Sequence, residues 1–425
     1  MRTTRPFPPP SSPRTSKRLR PSSAFGFLLS VTILCSGCGS EVGQNGFTVR
    51  DSAGISIAEN TAPGWEEGEG WRVGLDPTLD IGVMEGDPEY QFFRIAGSVR
   101  MPDGRLAVAN SSSGEIRFFD AEGTFLGSSG QKGEGPGEFH DIFFLRETRG
   151  DSLLAYDWDN RRMSVMDTDG RFARSFELTV LTTSGGFPIV SSPYPDGSLL
   201  LGTDMFLASG DATVGTKRDS AMYYHLGSEG QVINTLGAFP GGESYQTADG
   251  DNWVGGGLVF GRAGYAAVSG EGFYYGSSDR YEIEYRNPGG DILRIIRLDQ
   301  ENLEVTPADI DGFIADRMDR ARPERRPIYE IMFRDMPFPP EMPAYGEFIV
   351  DEAGDLWVEE YRRPGDDQPR WKVFDPQGVY LGVVETPPGL RIYEIGMDYL
   401  LGRWSGDMEA VSYTHLTLPT MRLRC

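Results

Sequence analysis

The chain has 425 residues, with 63 Asp and Glu against 40 Lys and Arg and a formal net charge of −23. So acidic a chain is a poor partner for nucleic acid or for an anionic membrane surface, both of which call for a basic face. Cys35, Cys38 and Cys425 are its only cysteines, too few for a disulfide-stapled scaffold, and about 370 residues suffice to bury a core without staples.

Residues 1–37 read as a targeting segment rather than as fold. Arg2, Arg5, Arg14, Lys17, Arg18 and Arg20 make a basic leader, and Ala24–Leu34 is an apolar stretch too short to span a bilayer. Ser36 and Gly37 then precede Cys38. This resembles a bacterial lipoprotein signal, which implies cleavage before Cys38 and lipidation of its thiol. Cys35 stands where that pattern usually has Leu, and an ordinary secretory signal is the alternative. Several acyl chains would anchor the protein firmly. The expected address is the bacterial cell envelope, at the outer membrane or the periplasmic face. Membrane contact would come through the lipid alone.

From residue 95 onward a strand-and-turn unit recurs five times. Its clearest copy runs through Ile95–Arg100, Leu106–Ala109, Ile116–Phe119 and Phe125-Leu126, each piece closed by an Asp/Gly turn. Further first strands are expected at Ile142–Leu145, Ile189-Val190, Tyr265–Val268 and Phe348–Val350. A sixth unit is divided: Leu79–Gly82 supplies an outer strand early, and Leu390–Ile395 with Tyr399–Trp404 supplies two strands late. Joining the chain ends in one unit removes free sheet edges. The pattern predicts an all-β fold, a six-bladed β-propeller of four-stranded antiparallel blades over residues 38–410, with the sixth blade split between the two ends.

The phrase Gly133-Glu-Gly-Pro-Gly-Glu-Phe139 and Asp-x-x-Gly turns such as Asp120–Gly123 resemble the six-bladed propeller lipoproteins related to NHL-repeat proteins. The resemblance implies the fold and leaves the function open. One short helical insertion is expected at about 304–345, with Thr306 as N-cap and Pro307 in the first turn, followed by an extended, Pro-rich return. Residues 411–425 are set aside as a non-native tail, because Val411-Ser-Tyr-Thr-His-Leu416 matches the translation of a transposon end used in sequencing libraries. The third strand of the split blade is then expected beyond Ala410.

In propellers of this type, loops after second strands and between blades share one face, where ligands usually bind. The candidates there are His140, Asp157, Trp158, Asp159, Asp279, Arg280, Glu360, Arg362 and Trp404. Asp157, Asp279 and Glu360 hold equivalent repeat positions and could take a divalent cation such as calcium, although Asp is equally a turn former. Trp158, Tyr361 and Trp404 could form a platform for a sugar ring or an aromatic ligand, or could pack between blades. With His415 in the tail, two histidines remain, which excludes a three-histidine zinc site, and no Ser or Cys stands in a nucleophile motif. The expectation is a monomeric binding module for an envelope protein, peptide or glycan, without catalytic residues. The rival is a metal-dependent lactone or sugar hydrolase or lyase, resembling the gluconolactonase-like propellers.

Overall fold

The computed structural model describes residues 46–404 and 415–424, apart from 67, 149–151, 179, 181–186, 205–212 and 251. The leader, Cys35 and Cys38 lie outside the described residues. Among those described, six β-sheets account for nearly all regular structure, and no helix is long and apolar enough to cross a membrane.

Four sheets are built on consecutive antiparallel strands from one stretch of chain. In the first these are Ile95–Arg100, Leu106–Asn110, Glu115–Phe119 and Phe125–Ser129; the second, third and fifth begin at Ile142, Phe187 and Phe348. Their turns follow from sequence. Asp120 accepts hydrogen bonds from the backbone N–H groups of Glu122 and Thr124, and Asp375 repeats this with Gln377 and Val379. Such Asp side chains replace turn hydrogen bonds the backbone cannot make for itself. Gly170 in one such turn has φ +79°, and a Cβ there would lie 2.6 Å from the Phe118 ring.

The divided sheet forms as the repeat predicts. Its order is Leu390–Ile395, Leu400–Trp404, His415–Arg424 and Gly70–Ile81, so both chain ends meet in one antiparallel sheet. The third position, expected from further sequence beyond Ala410, is instead held by His415–Arg424, inside the tail that the sequence reading set aside, which corrects that expectation.

Two sheets exceed four strands, a correction to the uniform four-stranded expectation. The third gains Asn252–Gly257, because Gly215–Leu226 and Val232–Asp249 extend far past the repeat. The fourth gains Ile55–Asn60, paired parallel with Ile292–Leu298, and then Phe47–Ser52 outside it. From there the chain crosses the fifth sheet, where the N–H groups of Gly64 and Trp65 donate to the carbonyls of Tyr380 and Leu381. It then enters the sixth at Gly70. Residues 47–81 thus form a belt across three consecutive sheets.

The single helical insertion is also corrected, to two helices, α1 (Pro307–Asp319) and α2 (Arg326–Arg334). α1 starts as expected: Thr306 and Asp309 form a reciprocal capping box with Pro307 behind it. α2 lies where an extended return was expected. Pro327 does not forbid it, because proline in the first helical turn removes only an N–H that has no partner there. Ile310 and Phe313 of α1 and Met332 of α2 pack with Val259 and Phe260, away from the sheets' inner strands.

Apolar side chains are gathered in seams between neighbouring sheets. Val99 and Phe118 meet Leu145 and Met166 between the first and second; Leu154 and Met163 meet Leu199 and Leu226 between the second and third. Tyr223 meets Phe273, Ile283 meets Leu356, and Trp357 meets Ile392 across the next three. Ile81 and Leu401 meet Ile95 and Leu106 between the sixth and first. The first strands follow the same cyclic order as neighbours, and Leu390–Ile395 returns to Ile95–Arg100. The architecture is propeller-like. With the apolar seams set radially, the inner strands are left to line a central space.

Candidate functional site

In the first, second and fourth sheets a polar residue at or just past the end of the second strand reaches to the incoming connection from the preceding sheet. Asn110 Oδ1 accepts from the Phe93 N–H at 3.0 Å, and Ser278 Oγ accepts from the Ala263 N–H at 2.9 Å. Asp157 is the most committed of this series. Fully buried, it accepts from the N–H groups of His140 (2.7 Å), Asp141 (3.1 Å) and Asn160 (3.2 Å), and from Asn160 Nδ2 (2.7 Å). Its oxygens are filled by the protein and act as a clasp between sheets.

The other proposed carboxylates are likewise engaged, and in different sheets. Asp279 pairs with Arg218 at 2.7 Å and Arg262 at 3.3 Å and accepts from Ser277 Oγ at 2.6 Å. Those partners hold its carboxyl below the usual range against the opposing effect of burial, which is the largest single influence. Glu360 pairs with Lys372 and with Arg370, and is held low by them in the same way. Among the described residues no group of three or more His, Cys, Asp or Glu is placed to hold a metal ion.

The remaining candidates are also spread out. His140 Nδ1 lies 2.7 Å from Asp159 Oδ2, both half exposed. Trp158 sits beside Phe143, with centroids 5.3 Å apart. Arg280 pairs with Glu282 and Arg362 with Glu359 at the surface. Trp404 donates from Nε1 to the Pro388 carbonyl. His225 approaches a serine: Nε2 is 2.8 Å from Ser198 Oγ, and that hydroxyl is 2.6 Å from Asp196 Oδ1. The hydrogen bond from Ser198 holds the Asp196 carboxyl low, so the serine hydroxyl donates to the carboxylate and accepts from His225 Nε2–H. The serine is not activated as a nucleophile.

The inner strands enclose a central cavity of about 640 Å³, and none of the nine candidates above lines it. Its shape comes from bulges. In three first strands the register slips by one residue, at Ala96, Phe143 and Tyr393. A bulge re-aims a side chain that strict alternation would place elsewhere, and all three residues line the cavity. Phe143 is 52% exposed.

The cavity wall is charged. Arg146, Arg391 and Arg403 line it, as do Glu147, Glu347 and Glu394. Arg403 was visible in the sequence beside Trp404; the others sit in first strands that read simply as inner strands. Arg146 Nη1 donates to the Leu145 carbonyl at 2.8 Å, and burial pushes its guanidinium below the usual value against the charges of Glu394 and Glu347. Glu394 accepts from the Arg100 N–H and the Tyr399 hydroxyl, and burial pushes its carboxyl up. The Tyr393 hydroxyl donates to the Ile95 carbonyl at 2.8 Å and is acted on by the charges of Arg403, Arg391 and Arg146.

The fifth sheet carries an acid cluster of another kind. Asp351 accepts from Trp357 Nε1 at 2.9 Å, and Asp355 is pushed up to about 6 by burial and by the charges of Asp351 and Asp375. The native state therefore holds this proton more tightly than the unfolded chain does. Stability contributed here is full below about pH 4 and is lost as pH rises through about 6. Asp355→Asn is expected to raise the melting midpoint by roughly 2 °C at pH 7.5 and to leave it unchanged at pH 4. Equal shifts at both values, read by calorimetry, would contradict the assignment.

No family model and no curated protein matches the chain. Solved structures with a similar fold include a DUF4221-family member from Bacteroides vulgatus, at 10% identity and TM-score 0.49, with 84% of this chain and 100% of that one covered. Regucalcin, a calcium-binding protein from Agrobacterium tumefaciens, is 12% identical at TM-score 0.39, with 79% and 93% covered. Virginiamycin B lyase from Staphylococcus aureus is 10% identical at TM-score 0.38, with 84% and 100% covered.

Proposed function

We propose that the chain is a six-bladed β-propeller held at the bacterial cell envelope by a lipid on Cys38, and that it acts as a binding module for a protein, peptide or glycan. The ligand enters the central cavity rather than contacting a dispersed set of loop residues. The observation that carries this reading is the charged cavity of about 640 Å³, a size typical of ligand sites. Six seams in cyclic order support the blade count. The carboxylates suggested for a cation are engaged by arginine, lysine or backbone N–H groups, which favours binding over metal-assisted hydrolysis.

Two measurements test this. Cys38→Ser should move the protein from the membrane fraction to the soluble fraction; if it stays membrane-bound, the anchor is wrong. Affinity capture from detergent-solubilised envelopes, with a glycan array alongside, should give a ligand whose binding falls when Arg391→Gln is introduced. Capture that is indifferent to that substitution would remove the cavity from the reading.

A further inference from the structure

The basic groups of the cavity are unevenly placed. Arg391 and Arg403 are paired residues on adjacent strands of the sixth sheet, and neither side chain makes a hydrogen bond or ion pair among the described residues. Arg146 faces the same space from the second sheet with one hydrogen bond, to its own strand. All three lie near enough to act on the Tyr393 hydroxyl, and no carboxylate is among the charges that do so. Of the wall's acids, Glu394 accepts from the Arg100 N–H and the Tyr399 hydroxyl, and its charge and that of Glu347 act on Arg146. Arg391 and Arg403 are left with unspent guanidinium N–H groups, which suit the two oxygens of a carboxylate.

Beside these arginines lie two features that point to more than an inorganic ion. Ser98, 1% exposed on the intervening first strand, lines the cavity and its hydroxyl has no partner. On the far side of the same strand, Phe143 turns a half-exposed ring into the cavity, backed by Trp158. An aromatic face, a free hydroxyl and a guanidinium cluster together match a hydroxylated ring that bears a carboxylate. The acidic body does not forbid this, since exposed charges beyond about 8 Å are largely screened at physiological salt.

Resting on the binding-module reading above, we propose that the central cavity binds sugar acids: a uronate whose carboxylate meets Arg146, Arg391 and Arg403 while its ring lies against Phe143. The test is titration calorimetry on the full chain in detergent, with D-galacturonate and D-glucuronate as probes and D-galactose, D-glucose, acetate and inorganic phosphate as comparisons. A uronate should bind at least about tenfold more tightly than its neutral sugar and than acetate or phosphate. Arg391→Gln and Arg403→Gln should each weaken uronate binding by about tenfold with the melting midpoint unchanged, and Phe143→Ala should weaken uronate without affecting acetate.

Equal affinity for uronate and neutral sugar would overturn the proposal while leaving a glycan-binding module standing. Equal affinity for uronate, acetate and phosphate would overturn it in favour of a simple anion site. No binding by any sugar or anion would also overturn it, and envelope capture would then decide separately whether the module binds a protein. A loss of melting midpoint in one arginine variant leaves the other, and Phe143→Ala, to decide.

Discussion

Replacing Asp157 by alanine is expected to cost about 3 kcal/mol of stability, because it strips a fully buried acceptor from four part-buried N–H donors at once. Those are the N–H groups of His140, Asp141 and Asn160, together with the Asn160 amide. Urea unfolding should show a lower midpoint at unchanged slope. Asp157→Asn should recover part of the loss, since Asn110 performs the equivalent task in the first sheet with an amide oxygen. A cost below about 0.5 kcal/mol, within the range of ordinary surface substitutions, would show that the clasp is not needed. Added Ca²⁺ should leave the wild-type midpoint unmoved; a Ca²⁺-dependent rise that Asp157→Ala abolishes would restore the metal reading.

The second large effect is expected at Asn60, which is 1% exposed at the end of the added parallel strand. Its amide donates to the carbonyls of Arg297 and Gly378, each at 3.0 Å, and its oxygen accepts from the Tyr380 N–H at 2.9 Å. One side chain therefore ties the belt to the fourth and fifth sheets together. Asn60→Ala should cost about 2–4 kcal/mol by orphaning three buried backbone groups. Asn60→Asp should cost at least as much despite its similar shape, since a carboxylate oxygen would then face two carbonyls. If chemical unfolding ranks the aspartate variant as the milder, the three-way tie is wrongly drawn.

The sequence disclosed the sheets far better than it disclosed the cavity. Asp120, Asp375 and the glycines of their turns are legible because a tight hairpin admits few residues, and the pairing of Gly70–Ile81 with the chain's far end follows from a repeat lacking one outer strand. The belt was hidden because Ile55–Asn60 joins the edge of a sheet already complete in sequence. α2 was hidden because Pro323 and Pro327 suggest extended chain, although proline is tolerated in a first turn. Loop residues such as Asp157 and Asp279 looked functional through their chemistry alone; the structure shows them answering their own neighbours. Phe143 and Tyr393 escaped notice for a geometric reason. A slip of one position rotates a side chain from seam to cavity, and composition carries no mark of that rotation.

Tension applied ahead of residue 46 would reach the belt before anything else. It would load the Phe47–Ser52 hairpin at a sheet margin, next the bonds at Gly64 and Trp65, and only afterwards the outer strand of the sixth sheet. No described residue from 47 to 81 lines the cavity. A tethered molecule could thus yield in stages along its rim, as a sacrificial seam does, while the inner wall keeps its shape.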